Sequence, residues 1–192
     1  VVSMVRRNWQ LLGQSEKQII LARKNAYHGS TVAAASLGGM SGMHEQGGLP
    51  IPNIHHIAQP YWFEEGGDKD PDEFGLEVAQ ELEQAIQHYG VENIAGFIAE
   101  PIQGAGGVII PPESYWPAIQ DIIDEYKILL IVDEVITGFG RLGQWFASDV
   151  YQIKPDLIPF AKGVTSGYLP LGGVLVNDKV TDVISKGGEF IH

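Results

Sequence analysis

One stretch decides how this chain folds: Ile128-Leu129-Leu130-Ile131-Val132, followed at once by Asp133 and Glu134. The apolar run is short, rich in β-branched residues and without polar alternation. Such a run is typical of a strand that is buried on both faces of a parallel sheet. We therefore predict a central strand with two carboxylates at its carboxyl end.

A second predicted strand, residues 157–160, ends just before a single lysine, Lys162. Strands of a parallel sheet bring their carboxyl ends to one edge, and open α/β sheets bind ligands there. We therefore expect Asp133 and Lys162 to face one site. A lysine amine can form a Schiff base with a carbonyl, and a carboxylate can keep a pyridine nitrogen protonated. Together these are the protein's part of pyridoxal phosphate chemistry.

The rest of the chain alternates predicted strands and helices. Asp70-Pro71-Asp72-Glu73 predicts a helix start, because it combines a capping aspartate, a proline at the first helical position and acidic residues in the first turn. The other predicted helices are 1–12, 114–126 and 178–185, with a short piece near 145–150. The other predicted strands are 18–21, 54–58, 94–99 and 171–176, and 37–52 is predicted to be a long loop. This order predicts an α/β fold, a mostly parallel sheet with helices on both faces.

Composition limits the classes of partner. The formal net charge is −12, and Lys69 is the only Lys or Arg between Glu64 and Glu125. This argues against nucleic acid and anionic membranes. The chain has no cysteine, which suits the cytoplasm, and its histidines lack the spacing of known metal motifs, so no metal site is predicted. Because the chain starts with Val1, we expect a fragment.

Lys162 and Asp133 each have an ordinary interpretation as well. Most lysines are solvated surface residues. Lys162, however, is the only charged residue in the stretch 160–173, which would desolvate the amine. Asp133 follows a strand directly and could simply cap a helix. From the residues alone, both interpretations stay open.

Four motifs stand in one order along the chain. They are Tyr27-His28-Gly29-Ser30 and residues 99–104, 132–141 and 161–172. In order and spacing they resemble the class III pyridoxal-phosphate-dependent aminotransferases, which have fold type I. The resemblance covers essentially the whole chain. It implies that residues 1–192 are the central part of the cofactor-binding large domain, without the N-terminal segment and the C-terminal small domain.

The resemblance implies a role for each residue of the expected site. Lys162 would form a Schiff base with pyridoxal 5′-phosphate and move the substrate proton, and Asp133 would pair with the pyridinium nitrogen. Tyr27 would stack on one face of the ring, and Val135 would press on the other. The remaining implied cofactor-site residues are His28, Gly29, Glu100 and Ile136.

Ile136 points to one branch of the family. In ornithine-type members a glutamine at this position reaches the ring hydroxyl of the cofactor, a bond that isoleucine cannot make. With the stretches 59–63 and 99–112, this resembles the amine:pyruvate and putrescine:pyruvate aminotransferases. The implied reaction moves an amino group from putrescine, another polyamine or an ω-amine to pyruvate, giving an aldehyde and alanine. The implied assembly is a homodimer or a higher homo-oligomer.

Two other functions stay open. A different class III enzyme, such as an ω-amino acid aminotransferase, an aminomutase or a decarboxylase, would share Lys162 and Asp133. An aminotransferase of either kind takes a small amine donor and a keto acid acceptor. A non-catalytic α/β binding module would have the fold without the chemistry, but the presence of both residues argues against it.

Overall fold

A computed structural model describes residues 1–45 and 47–187. Within these ranges the strands are β1 (Ile19–Arg23), β2 (Ile54–Ile57), β3 (Ile94–Ala99), β4 (Leu129–Val132), β5 (Leu157–Phe160) and β6 (Gly173–Val176). The α-helices are α1 (Val2–Leu11), α2 (Val32–Leu37), α3 (Ser41–His44), α4 (Trp62–Glu65), α5 (Pro71–Tyr89), α6 (Tyr115–Tyr126), α7 (Ala147–Tyr151) and α8 (Asp178–Lys186). Two short 3₁₀ turns, Val91–Asn93 and Lys162–Thr165, precede β3 and follow β5.

The six strands form one sheet in the order β2-β1-β3-β4-β5-β6. Strands β1 to β5 run parallel, and β6 pairs antiparallel with β5. The chain passes from β1 outward to β2 and returns to the other side of β1 for β3. In an open α/β sheet such a reversal leaves a crevice at the carboxyl ends of the strands. The predicted α/β fold with a mostly parallel sheet is confirmed.

Helices cover both faces of the sheet, as predicted. Leu130 and Val132 of β4 pack in one core cluster with residues of α5 and α6, whereas Leu129 and Ile131 pack in a second cluster with residues of α1 and α8. Successive side chains of a strand point to opposite faces. Because both faces of β4 are buried, its sequence is apolar throughout.

Helix α5 begins where the sequence predicts. The Asp70 carboxylate accepts the N–H groups of Asp72 at 2.9 Å and Glu73 at 3.4 Å, and Pro71 occupies the first helical position. Gly90 ends the helix with a φ of +82°, a conformation that glycine adopts without strain. None of the helices in the described ranges is long and apolar enough to cross a membrane.

The segment before β2 differs from the prediction of one long loop over 37–52. The small residues after Thr31 form α2, and residues 41–44 form α3. Alanine is the best helix former, and α2 contains three of them. Elements this short contain too few turns to produce a periodic apolar pattern, so the sequence signal for them is weak.

The orientation of α5 gives a test of the core. Leu82 is fully buried and Leu76, on the same helix, is 48% exposed. We expect Leu82→Ala to lower the free energy of unfolding by about 2–5 kcal/mol, because it removes core packing and leaves a cavity. The matched change Leu76→Ala should cost about 0.5 kcal/mol or less. Urea unfolding measures both free energies. Equal losses would contradict the placement of Leu82 on the buried face of α5 and of Leu76 on its exposed face.

Candidate active site

The predicted site residues lie around one pocket at the carboxyl edge of the sheet. Its cavity volume is about 210 Å³. Its lining comprises Tyr27, His28, Gly29, Ser30, Glu100, Asp133, Val135, Ile136 and Lys162. These residues follow β1, β3, β4 and β5, which are neighbours in the sheet. The parallel arrangement therefore brings Asp133 and Lys162 to the same cavity, as the strand pattern predicts.

Asp133 is a buried carboxylate with both oxygens bonded. Its Oδ2 lies 2.8 Å from Nδ1 of His28, and its Oδ1 accepts the N–H of Val135 at 3.0 Å. Its backbone N–H donates to the carbonyl of Ala99 at 2.8 Å and so continues the pairing of β4 with β3. The residues that follow Asp133 form turns. Asp133 caps the first turn through its bond to the Val135 N–H, and no helix of the described residues begins there.

His28 fixes the orientation of the Asp133 carboxylate. The side chain of His28 is only 2% exposed. An ionised carboxylate can only accept hydrogen bonds, so the tautomer that fits carries a hydrogen on Nδ1. Nε2 of His28 is buried without a hydrogen-bond partner among the described residues. Within the described chain, the His28 side chain therefore hydrogen-bonds only to Asp133.

Glu100 is the second buried carboxylate of the pocket, and it joins two loops. It is 4% exposed. Its Oε1 accepts the N–H of Tyr27 at 3.1 Å, and its Oε2 accepts the N–H of Gly104 at 2.8 Å. The Glu100 side chain therefore ties the segment after β1 to the segment after β3.

Two glycines make room for the walls of the pocket. Gly29 has a φ of +123°, and a Cβ there would lie 3.0 Å from Cβ of Ala34. A Cβ at Gly104 would lie 2.6 Å from Cδ1 of Ile136. Both distances are too short for ordinary packing, so larger residues would displace the His28 loop or push Ile136 into the cavity.

Lys162 lies at the open rim of the pocket and is exposed. The expectation that its uncharged surroundings desolvate the amine is wrong for this chain. Two residues of that uncharged stretch, Tyr168 and Leu169, are themselves 89% and 70% exposed. Lys162 has a φ of +45°. A side chain in that region costs about 1–3 kcal/mol, and such strain concentrates at functional sites.

Glu134 has a role that the sequence analysis did not assign. It is fully buried. Its Oε1 accepts the N–H of Ser148 at 2.7 Å and the hydroxyl at 2.8 Å. Its Oε2 accepts the N–H of Ala147 at 3.1 Å and the hydroxyl of Thr137. Glu134 thus anchors the start of α7. The sequence signal for this role is the position of Glu134 next to Asp133. Adjacent side chains at the end of a strand point to opposite faces, so the Glu134 side chain points away from the side on which Asp133 lies.

The whole chain matches a known family. Residues 2–191 match Aminotransferase class-III. A putrescine–pyruvate aminotransferase of Pseudomonas aeruginosa is 59% identical over 192 residues, which cover 100% of this chain and 42% of that protein. A probable gamma-aminobutyrate transaminase 3, mitochondrial, of Oryza sativa subsp. indica is 47% identical over 186 residues, which cover 94% of this chain and 36% of that protein. The chain belongs to the class III aminotransferase family, which confirms the resemblance.

Solved structures agree with this assignment. A thermostable (S)-enantioselective omega-transaminase from Thermomicrobium roseum matches with a TM-score of 0.96 and 45% identity, covering 100% of this chain and 43% of that chain. The omega transaminase from Pseudomonas jessenii in complex with PMP matches with a TM-score of 0.94 and 42% identity, covering 97% of this chain and 41% of that chain. The fold is that of the transaminases. The chain spans about two fifths of the length of these relatives.

The buried contacts of Glu134 give a second test. We expect Glu134→Gln to lower the free energy of unfolding by about 2–3 kcal/mol, because the amide presents hydrogens to groups that also donate and leaves them without an acceptor. Glu125→Gln, at an exposed position of α6, is the matched control and should change little. Urea unfolding measures both. A Glu134→Gln protein as stable as the control would show that the three contacts with Ala147 and Ser148 do not anchor α7.

Proposed function

We propose that the chain is the central, cofactor-binding part of an aminotransferase that moves the amino group of a terminal amine to pyruvate. The observation that carries this is the pocket, where Lys162 and the fixed carboxylate of Asp133 line one cavity. The identity of 59% with a putrescine–pyruvate aminotransferase supports putrescine, or another polyamine or ω-amine, as donor. The products would be an aldehyde and alanine.

The residues of the pocket fit pyridoxal 5′-phosphate, the cofactor on which class III aminotransferases depend. Bound there, it would supply an aldehyde that reacts with amines and a ring that takes up an electron pair. Each carboxylate oxygen of Asp133 has a second lone pair besides the one that already accepts a bond. Asp133 can therefore hold a protonated ring nitrogen with a charge-assisted bond. The cavity is smaller than the roughly 300–1,000 Å³ of complete ligand sites, which suits a site that further chain completes.

Lys162 would act at the reacting end of the cofactor. With the cofactor bound, the Lys162 amine would be its attachment point, and the same amine would accept the proton at the carbon of the donor. Lys162 lines the cavity and is exposed, which leaves its amine within reach of an incoming substrate.

The other lining residues would hold the ring and the substrate. Tyr27 would stack on one face of the ring and Val135 would press on the other, while His28 and Gly29 would support the side of Tyr27. Glu100 would face the substrate, and its carboxylate is oriented by two backbone N–H groups.

The acceptor and the assembly follow from the same proposal. A keto acid, pyruvate, takes the amino group, and the enzyme works as a homodimer or a higher homo-oligomer. Its location in the cytoplasm, expected from the lack of cysteine, stays a prediction.

A second candidate is an ω-amino acid aminotransferase. The gamma-aminobutyrate transaminase relative, at 47% identity, favours it. The roles of Lys162 and Asp133 would be unchanged, and only the donor would differ. A comparison of amine donors therefore distinguishes the two candidates, whereas the catalytic residues do not.

Alanine formation tests the proposed reaction in the complete enzyme. With pyridoxal phosphate and pyruvate, we expect putrescine to give alanine with a higher kcat/KM than gamma-aminobutyrate. The variant Lys162→Ala should lose turnover, whereas Lys154→Ala, which removes an exposed lysine after α7, should keep it. The reverse preference between donors would support the second candidate. Full turnover by Lys162→Ala would refute both.

Replacement of the Asp133 carboxylate tests its electrostatic role. Asp133→Asn keeps the shape but cannot hold a protonated ring nitrogen, so we expect kcat to fall by about 10²-fold or more. Asp121→Asn, at an exposed position of α6, is the control. Steady-state kinetics at saturating cofactor measure the effect. An unchanged kcat would mean that Asp133 does not act on the ring.

A further inference from the structure

Arg23 is a fully buried cation for which the proposed mechanism has no use. It is the last residue of β1 and is 0% exposed. Its guanidinium carbon lies 5.8 Å from the ring centroids of Tyr115 and of Trp116. Its Nη2 donates to the carbonyl of Glu100, while Nε and Nη1 find no hydrogen-bond partner among the described residues.

The charge of Arg23 is not balanced by a neighbour. No ion pair of the described chain includes it. Burial, partly offset by the guanidinium itself, raises the pKa of Tyr115, so that phenol stays neutral. Burying an unpaired cation is costly, and an apolar side chain of similar volume would serve folding as well. Its hydrogen bond fixes the position of the Glu100 carbonyl.

Glu100 connects Arg23 to the pocket. Its carbonyl accepts the bond from Arg23, and its carboxylate accepts the N–H groups of Tyr27 and Gly104. A shift of the Glu100 peptide would therefore move the carboxylate that holds the backbone of Tyr27. Arg23 is thus two hydrogen bonds away from the residue proposed to stack on the cofactor.

Two more side chains join the same two segments. Asn25 Nδ2 donates to the carbonyl of Gly106 at 2.7 Å. Gln103 Nε2 donates to the carbonyl of Lys24 at 3.1 Å. Residues 23–27, after β1, and residues 100–106, after β3, are thereby held together along their length, with Arg23 as the buried anchor.

We propose that Arg23, assisted by Asn25, is a positioning residue for the cofactor pocket. It locks the segment after β1 to the segment after β3 and so fixes the positions of Tyr27 and Glu100 in the wall of the pocket. This rests on the proposed function. Arg23 contacts the backbone of Glu100 and acts on the pocket only through it.

The test is Arg23→Met in the complete enzyme, a change that keeps the volume and removes the charge and the donors. We expect the dissociation constant of pyridoxal phosphate to rise about tenfold, the order expected for a lost bond from a charged donor. The induced circular dichroism of the bound cofactor should change. In the cofactor-free protein, amide hydrogen exchange should accelerate in residues 23–31 and 100–107 and not in α1.

Lys17→Met is the matched control. Lys17 is also a buried cation, and its Nζ donates to the carbonyls of Val91 at 2.6 Å and Ile94 at 3.3 Å. It lies at the opposite end of the sheet, before β1 begins. We expect this variant to lose stability while its cofactor affinity and its exchange in the two segments stay those of the wild type.

Asn25→Gly keeps the test decisive if Arg23→Met does not fold. Asn25 has a φ of +59°, which glycine adopts without strain, so only the bond to Gly106 is lost. We expect a smaller rise in the dissociation constant, about threefold, and faster exchange in the same two segments.

The outcomes separate the two proposals. If the wild type binds the cofactor and every folded variant at Arg23 or Asn25 binds it as tightly as Lys17→Met, with unchanged exchange, the inference is wrong and the proposed function stands. If the wild type itself binds no pyridoxal phosphate, the proposed function is wrong and the role of Arg23 falls with it.

Discussion

The candidate site depends on one buried hydrogen bond, between His28 and Asp133. It joins residues that are 105 positions apart and connects the ends of β1 and β4 across β3. A buried carboxylate must be bonded to be tolerated, so the loop after β1 has to lie against the end of β4. That constraint brings Tyr27 beside Glu100, which in turn fixes Tyr27 through its backbone N–H. The walls of the pocket follow from this contact and from the parallel order of the strands.

The sequence predicted the features that depend on local pattern. The apolar run before Asp133 identified a strand buried on both faces, and Asp70 with Pro71 identified the start of α5. The meeting of Asp133 and Lys162 was predictable as well, because it needs only parallel strands whose carboxyl ends share an edge. Their roles came from motif resemblance, and the geometry of the pocket supports those roles without testing them.

What the sequence could not provide depends on side-chain direction and on packing between loops. Glu134 stands beside Asp133 yet serves α7, because the alternation at the strand end turns it away from the pocket. No motif in the sequence marks Arg23, and only its burial against Trp116 and its bond to the Glu100 carbonyl reveal its position. The exposure of Lys162 was missed because an uncharged stretch need not fold over the residue that it contains.

The central claim is that this pocket holds pyridoxal phosphate with Lys162 as the attachment point. The most direct measurement is to add the cofactor to the complete enzyme, reduce with borohydride and locate the modified peptide by mass spectrometry. We expect one pyridoxyl group, on Lys162. No label, or a label spread over exposed lysines such as Lys154 and Lys179, would contradict it and leave the fold without the chemistry.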